Sequence, residues 1–245
     1  MEIWQYILLY CAVLGGGSLA FWFKSNNRKF LQRILSFVGA YLLGILVLHL
    51  IPDAYSSGNE KIGLWVLAGF FIQLTLEQFS LGVEHGHIHD HHHTSRPLFA
   101  LQVVLSLSIH AFMEGLPLSN HDVLHAAGHI HEHDVNQLYY GVILHKAPEA
   151  FALALLLLMS HFSKKVVIIS IVLFAAMSPM GALLTQLIDF STDTQHIMIA
   201  IVIGSLLHIS TTILFEIDNT DEHRISMPKL MAIVAGVGLA ILVTM

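Results

Sequence analysis

The amino-acid sequence predicts an all-α, polytopic membrane protein with eight transmembrane helices. Hydrophobic residues make up 55% of the 245 residues and charged residues only 11%, whereas a soluble domain carries about 25% charged residues. The apolar residues fall into eight runs separated by polar residues, each close to the roughly 20 residues that a spanning helix needs. The period-2 alternation of a barrel strand is absent, and a lipid-exposed backbone must satisfy its hydrogen bonds internally. Each run is therefore predicted to be a helix.

The eight runs define one integral membrane domain over residues 1–245, with no room for a soluble one. The first run follows Glu2 rather than a basic segment and stays apolar for about 20 residues, so it is interpreted as a span and not as a signal peptide. The predicted spans cover residues 3–23, 34–55, 61–83, 98–119, 137–160, 165–188, 196–217 and 227–245.

The basic residues predict the orientation in the membrane, because cytoplasmic loops are enriched in Lys and Arg. Two of the eleven basic residues are exceptions. Lys61 lies in a connection on the non-cytoplasmic side, and Lys146 lies inside a span. Both termini are therefore predicted to face away from the cytoplasm, across a plasma or inner membrane. The remaining nine basic residues fall on the predicted cytoplasmic side: Lys24, Arg28, Lys29, Arg33, Arg96, Lys164, Lys165, Arg224 and Lys229.

Two of the predicted loops, residues 84–97 and 120–136, are rich in histidine. Tracts of this composition favour weak, exchangeable metal binding without fixed geometry. A solvated polar loop without function is the alternative. The first loop contains His85, His87, His89, His91, His92 and His93, and the second contains His121, His125, His129, His131 and His133.

Two predicted spans carry ionisable pairs, which are costly in lipid and therefore need a partner or a purpose. Span 4 contains His110 and Glu114, and span 5 contains His145 and Glu149. Residues four apart share one face of a helix, so two such helices packed face to face present two imidazoles and two carboxylates to one point. At 1.5 Å per residue, His110 lies about 18 Å into its span and His145 about 12 Å into the antiparallel one. We therefore expect a metal site near the midplane.

The predicted donor set suits Zn²⁺, and also Fe²⁺, Mn²⁺ or Cd²⁺, because affinity order alone does not choose among divalent metals. The two carboxylate charges offset the double positive charge of a dication halfway across the bilayer. We expect the metal to be the transported substrate, and we expect no separate cofactor. The lipid bilayer surrounds the protein, and no nucleic-acid partner is expected.

At these motifs the sequence resembles the ZIP family of zinc and iron transporters. The matching segments are His110-Ala-Phe-Met-Glu114-Gly115 and His145-Lys-Ala-Pro148-Glu149, with support from His49-Leu-Ile-Pro52-Asp53 at the end of span 2. The resemblance implies uptake toward the cytoplasm, inverted repeats in a 3+2+3 arrangement and a homodimer. It also implies an elevator-like movement of a bundle that includes spans 4 and 5.

The sequence departs from this family at a second metal position. Many relatives have Asn after the span 4 His, an acidic residue after the span 5 His and Glu before the span 6 Pro. Here those places hold Ala111, Lys146 and Ser178. We therefore predict a single-metal site in which the Lys146 ammonium replaces the second cation and pairs with Glu149 or Glu114.

Five further polar residues are candidates for a metal pathway. They are His49 and Asp53 toward the outer end of span 2, Glu77 near the cytoplasmic end of span 3, and His208 and Glu216 in span 7. A hydrogen-bonded packing role explains those of spans 3 and 7 at least as well, and those of span 2 equally well.

Two other functions remain open at the level of sequence. An intramembrane zinc-dependent hydrolase would use His and Glu ligands with an open position to activate water, although His-x-x-x-Glu is not the His-Glu-x-x-His motif of zinc proteases. A metal exporter would use the same site in the other direction. The chain has no phosphate-binding loop, which argues against ATP-driven pumping.

Overall fold

The structure, a computed structural model, describes residues 1–22, 28–56, 60–80, 96–119, 132–188, 190–215 and 226–244. These residues form eight helical rods, α1 to α8, and contain no β-strand. The rods are α1 Ile3–Leu19, α2 Arg28–Ile45 with its continuation through Leu46–Leu50 and Ile51–Ser56, α3 Ile62–Ser80, α4 Arg96–Gly115 with a 3-10 turn Leu116–Ser119, α5 Glu132–Met159, α6 Lys164–Leu187, α7 Thr192–Phe215 and α8 Met227–Thr244.

Six of the rods in the described part of the chain, α2 to α7, are long and apolar enough to cross a membrane. The other two, α1 and α8, are apolar but shorter, with 17 and 18 residues. The all-helical prediction is therefore confirmed for these residues.

Several helices begin or end a few residues away from the limits of the predicted spans. α5 begins at Glu132, inside the segment predicted as the second histidine-rich loop, and α4 begins at Arg96, inside the first. α1 ends at Leu19, where the apolar run continues to residue 23. Hydropathy indicates where lipid surrounds the chain, whereas a helix ends where its backbone hydrogen bonds end, and acidic residues such as Glu132 favour a helix N-terminus.

The continuous rod α2 contains a widened turn just before Pro52. Residues Leu46–Leu50 form a π turn, in which the N–H of Ile51 reaches the carbonyl of Leu46. Proline has no N–H to donate, and π turns inside α-helices are frequent at functional sites. The turn contains His49, one of the predicted pathway residues.

The rods pack in two groups. In the first group, α1 lies along α5, α4 lies along α6, and α6 also contacts α1 and α5. In the second group, α3 lies along α7, α2 lies along α8, and α2 also contacts α7. The two groups meet chiefly where α2 contacts α5 and α3 contacts α4.

Glycines bring helix backbones into direct contact inside each group. A Cβ at any of six glycines would overlap a carbonyl oxygen of the neighbouring helix, so only glycine allows these approaches. All six contacts join helices of the same group. They pair Gly16 with Ala147, Gly115 with Ser178, Gly181 with Phe112, Gly69 with Ile201, Gly204 with Val66, and Gly236 with Phe37.

Candidate metal centre

Two helices of the first group, α4 and α5, bring the four predicted ligands together. His110 and Glu114 lie one turn apart on α4, and His145 and Glu149 lie one turn apart on α5. All four side chains are fully buried. One donor atom from each lies within 4.8 Å of the others. The helix spacing that predicted convergence of these residues therefore holds in three dimensions.

The carboxylates lie between the two imidazoles. Nε2 of His110 is 3.0 Å from Oε1 of Glu114, and Nε2 of His145 is 3.5 Å from Oε2 of Glu149. The contacts between the helices are slightly longer, 3.9 Å from His110 Nε2 to Glu149 Oε1 and 4.0 Å from His145 Nε2 to Glu114 Oε1. The imidazole rings are nearly perpendicular, at 88°, with their centroids 6.0 Å apart.

Four of these donor atoms have no hydrogen-bond partner among the described residues. They are Nε2 of His110 and His145 and Oε1 of Glu114 and Glu149. Buried polar atoms are nearly always satisfied, and a divalent cation would satisfy all four at once. Imidazole nitrogen and carboxylate oxygen bind Zn²⁺ at about 2.0 to 2.2 Å, so small side-chain movements toward the centre would complete the site.

Lys146 forms one wall of the cluster. Its ammonium is 2.5 Å from Oε2 of Glu114 and 2.7 Å from Oε2 of Glu149, and all three side chains are fully buried. Nζ also lies 5.4 Å from the ring centroid of Phe174 on α6, where the ring face attracts a cation. The side chain therefore points into the protein and does not extend to a membrane interface. With neutral imidazoles, two carboxylates and one ammonium give the cluster a net charge of −1.

The other two residues at the second metal position contact each other. The hydroxyl of Ser178 on α6 donates to the carbonyl of Ala111 on α4 at 2.9 Å. Both residues are buried. A hydroxyl that donates to the backbone and a methyl group leave this position without a charged ligand.

Gln73 and Ser205 extend the site into the second group, and neither residue was predicted from the sequence. Oε1 of Gln73 on α3 is 2.9 Å from Nδ1 of His110 and accepts from the hydroxyl of Ser205 on α7 at 2.8 Å. Both residues are fully buried. The available signal was a glutamine in the middle of an apolar span, four residues before Glu77.

The predicted pathway residues lie apart from this cluster where they are described. His208 on α7 contacts Glu77 on α3, with 2.5 Å between Nε2 and Oε2, and packs edge-on against Phe70. His49 lies in the π turn Leu46–Leu50 of α2, and Asp53 lies in its C-terminal segment Ile51–Ser56. Glu216 and the histidines of the predicted metal-binding loop, His85, His87, His89, His91, His92 and His93, lie outside the described residues.

Comparison with known proteins identifies one family. The family described as ZIP zinc transporter matches residues 81–244, about two thirds of the chain. Zinc transporter ZIP1 of Bos taurus is 26% identical over 265 residues, which cover 88% of this chain and 78% of that protein. ZIP1 of Homo sapiens is similar to the same degree, with 26% identity and the same coverage. Zinc transporter SLC39A7 of Mus musculus is 34% identical over 85 residues, covering 27% of this chain and 18% of that protein.

These relatives are transporters and not enzymes, so the hydrolase alternative is not favoured. The spanning helices agree with an integral membrane protein, and the buried His and Glu cluster agrees with transport of a divalent metal. The chain therefore belongs to the ZIP family of zinc transporters.

Proposed function

We propose that this protein takes up zinc toward the cytoplasm through one metal site formed by His110, Glu114, His145 and Glu149. The observation that carries the proposal is the convergence of four fully buried donor groups within 4.8 Å. A buried cluster of this kind without a cation leaves donor atoms unsatisfied, which is costly in a low-dielectric interior. The relatives are named zinc transporters. Fe²⁺, Mn²⁺ and Cd²⁺ suit the same donors.

The site holds one metal because Lys146 occupies the place of a second. A second dication would lie next to the ammonium that already pairs with Glu114 and Glu149. At short range in a low dielectric, two like charges repel by several kcal/mol. Ala111 and Ser178 offer no carboxylate there.

Transport proceeds by an elevator-like movement of the first group against the second. The backbone contacts at glycine support two internally rigid bodies, because all six lie within a group. The boundary between α3 and α4 has hydrogen bonds through side chains, such as that between Gln73 and His110. Side-chain contacts exchange partners more readily than interlocked backbones.

The packing pattern supports inverted repeats in a 3+2+3 arrangement. An inverted repeat would relate α1 to α6, α2 to α7, α3 to α8 and α4 to α5. Under this relation the α3–α7 contact corresponds to the α8–α2 contact, and the α1–α5 contact corresponds to the α6–α4 contact. Helices related in this way stand an odd number of positions apart in the chain. They therefore cross the membrane in opposite directions when each rod is one span.

The remaining assignments complete this proposal. The chain is one transporter domain with eight spans and both termini outside the cytoplasm, in a plasma or inner membrane, and it forms a homodimer. His49 and Asp53 lie on the entrance side, and Glu77 and His208 on the cytoplasmic side. The histidine-rich loops bind metal weakly.

Zinc flux into liposomes tests the site. Purified protein is reconstituted with a zinc-sensitive dye inside, and His145→Ala and Glu149→Gln are compared with His196→Ala, a histidine on α7 outside the cluster. We expect wild type and His196→Ala to load the liposomes and the two site variants to lose at least about 90% of the flux, since each removes a ligand of a buried ion. Wild-type flux in both site variants would reject the assignment.

Cysteine cross-linking tests the movement. A Cβ at Gly141 of α5 would lie 3.2 Å from the side chain of Leu42 of α2, so this pair joins the two groups. The hydroxyl oxygens of Ser119 and Thr185 lie 2.5 Å apart, and this pair lies within the first group. Each pair is replaced by cysteines in a Cys11→Ala background and bridged with a short bis-methanethiosulfonate reagent, which forms a disulfide with each thiol and releases methanesulfinate. We expect the first bridge to stop uptake until its disulfides are reduced, and the second to leave uptake intact. Full uptake with the first pair quantitatively bridged would contradict an elevator.

A further inference from the structure

We propose that Gln73, held by Ser205, is a positioning residue that fixes the ring of His110 so that Nε2 faces the transported cation. The inference rests on the proposed function, because it takes His110 to be a metal ligand. It assigns a role in metal binding to two helices, α3 and α7, that carry none of the four ligands.

The two nitrogens of the His110 ring face different partners. Nε2 lies 3.0 Å from Glu114, inside the cluster, and Nδ1 lies 2.9 Å from Oε1 of Gln73. An amide oxygen only accepts hydrogen bonds, so Nδ1 carries the hydrogen. In a neutral imidazole the lone pair is then on Nε2, the nitrogen that faces the cluster. The contact thus selects the tautomer that can bind a metal and orients the ring.

The accepting oxygen is itself held in place. The hydroxyl of Ser205 donates to the same Oε1 at 2.8 Å, and the side chains of Gln73, Ser205 and His110 are all fully buried. α3 and α7 are locked together nearby, because Gly69 and Gly204 allow their backbones to touch. The Ser205 hydroxyl also lies 3.4 Å from Nδ1 of His110, so removal of Gln73 would leave this buried N–H with only that longer contact.

The hydrogen bond to His110 crosses the boundary between the two groups. His110 is on α4 of the first group, whereas Gln73 and Ser205 belong to the second. One turn away, the hydroxyl of Ser106 on α4 donates to the carbonyl of Leu76 on α3 at 2.5 Å. The orientation of His110 therefore depends on the relative position of the groups. A movement that separates α4 from α3 removes the partner of Nδ1 and weakens the grip on the metal.

Calorimetric titration of the purified full-length chain with zinc chloride tests this inference. Partners that orient a metal-ligating histidine are worth about 10 to 100-fold in metal affinity, and we expect a loss of that size for Gln73→Leu. The matched control is Gln78→Leu, the same change at an exposed position of the same helix, and it is expected to bind like wild type. Gln73→Glu keeps an acceptor oxygen and should recover most of the affinity.

Repeating Gln73→Leu in a His110→Ala background separates positioning from general structural damage. We expect no further loss of zinc affinity there, because no ring remains to be oriented. An equal loss in both backgrounds, or wild-type affinity in Gln73→Leu alone, would overturn the inference. Ser205→Ala keeps Gln73 but removes its support and the 3.4 Å contact of the hydroxyl with Nδ1 of His110, and it gives a milder version if Gln73→Leu does not fold. Absence of zinc binding in wild type would instead reject the proposed function.

Discussion

Replacing Lys146 with methionine tests how the centre balances its charges. The substitution keeps the unbranched side chain up to the ε position and removes the ammonium that lies 2.5 Å from Oε2 of Glu114 and 2.7 Å from Oε2 of Glu149. Both carboxylates are fully buried, so water cannot compensate. Removing one partner of a buried ion pair costs about 3 to 5 kcal/mol. In a chain of this length, 1 kcal/mol corresponds to about 2 to 4 °C in the unfolding midpoint, so we expect the metal-free variant to unfold about 10 °C lower.

Zinc should recover more stability in this variant than in wild type. Without the ammonium the empty cluster carries a charge of −2 instead of −1, so it attracts a dication more strongly. A ligand at 100 times its Kd stabilises a protein by about 2.7 kcal/mol, and at one fixed zinc concentration the tighter site gains more. The assay is thermal unfolding in detergent by intrinsic fluorescence, with chelator and with zinc.

The control is Lys165→Met, the same change at an exposed position, which should change the midpoint little. Equal midpoints for wild type and Lys146→Met in chelator would refute the reasoning. So would a zinc-induced increase that is smaller in the variant than in wild type.

Three further predictions follow from the same geometry. Gly115→Ala should lower the yield of monodisperse protein in size-exclusion chromatography, because the new Cβ overlaps the carbonyl of Ser178. Gly238→Ala, which has open space around it, should be tolerated. Similar yields for the two variants would contradict the tight crossing of α4 and α6. Lys146→Asp, which introduces the acidic residue that many relatives carry there, should raise zinc stoichiometry in calorimetry from one to two, and an unchanged stoichiometry would mean that the ammonium does not exclude a second ion. His208→Ala removes the contact with Glu77 and the ring packing against Phe70. It should slow liposome uptake while leaving zinc affinity within about three-fold of wild type, since neither partner belongs to the four proposed ligands; a larger loss of affinity would put His208 in the metal centre.

The convergence of the ligands followed from sequence because helix geometry is fixed over short distances. A His and a Glu four residues apart share a face in any α-helix, and two such pairs in adjacent spans have few ways to hide from lipid other than facing each other. The pairing of Lys146 with Glu149 or Glu114 was predicted instead from the second metal position of the related family, where the ammonium replaces a cation. Local periodicity was enough for the two His and two Glu residues.

The contribution of Gln73 and Ser205 depends on which helices become neighbours, and no local spacing encodes that. These two residues are separated by 132 positions and meet only because α3 packs along α7. Helix ends were also missed, as at Glu132, because polar residues continue a helix beyond the apolar segment. The sequence contained the relevant side chains but not their tertiary partners.

The glycine contacts between distant helices also bear on how the chain is assembled. Among the described residues, α2 and α3 make their backbone contacts at glycine with α8 and α7, which follow all four proposed ligands in the chain. During membrane insertion, the surfaces around Gly69 and Phe37 therefore remain without these partners until α7 and α8 arrive. Loss of α8 would remove the backbone partner of α2 although every proposed metal ligand had already been made, so its cost would fall on helix packing and not on the proposed transport site.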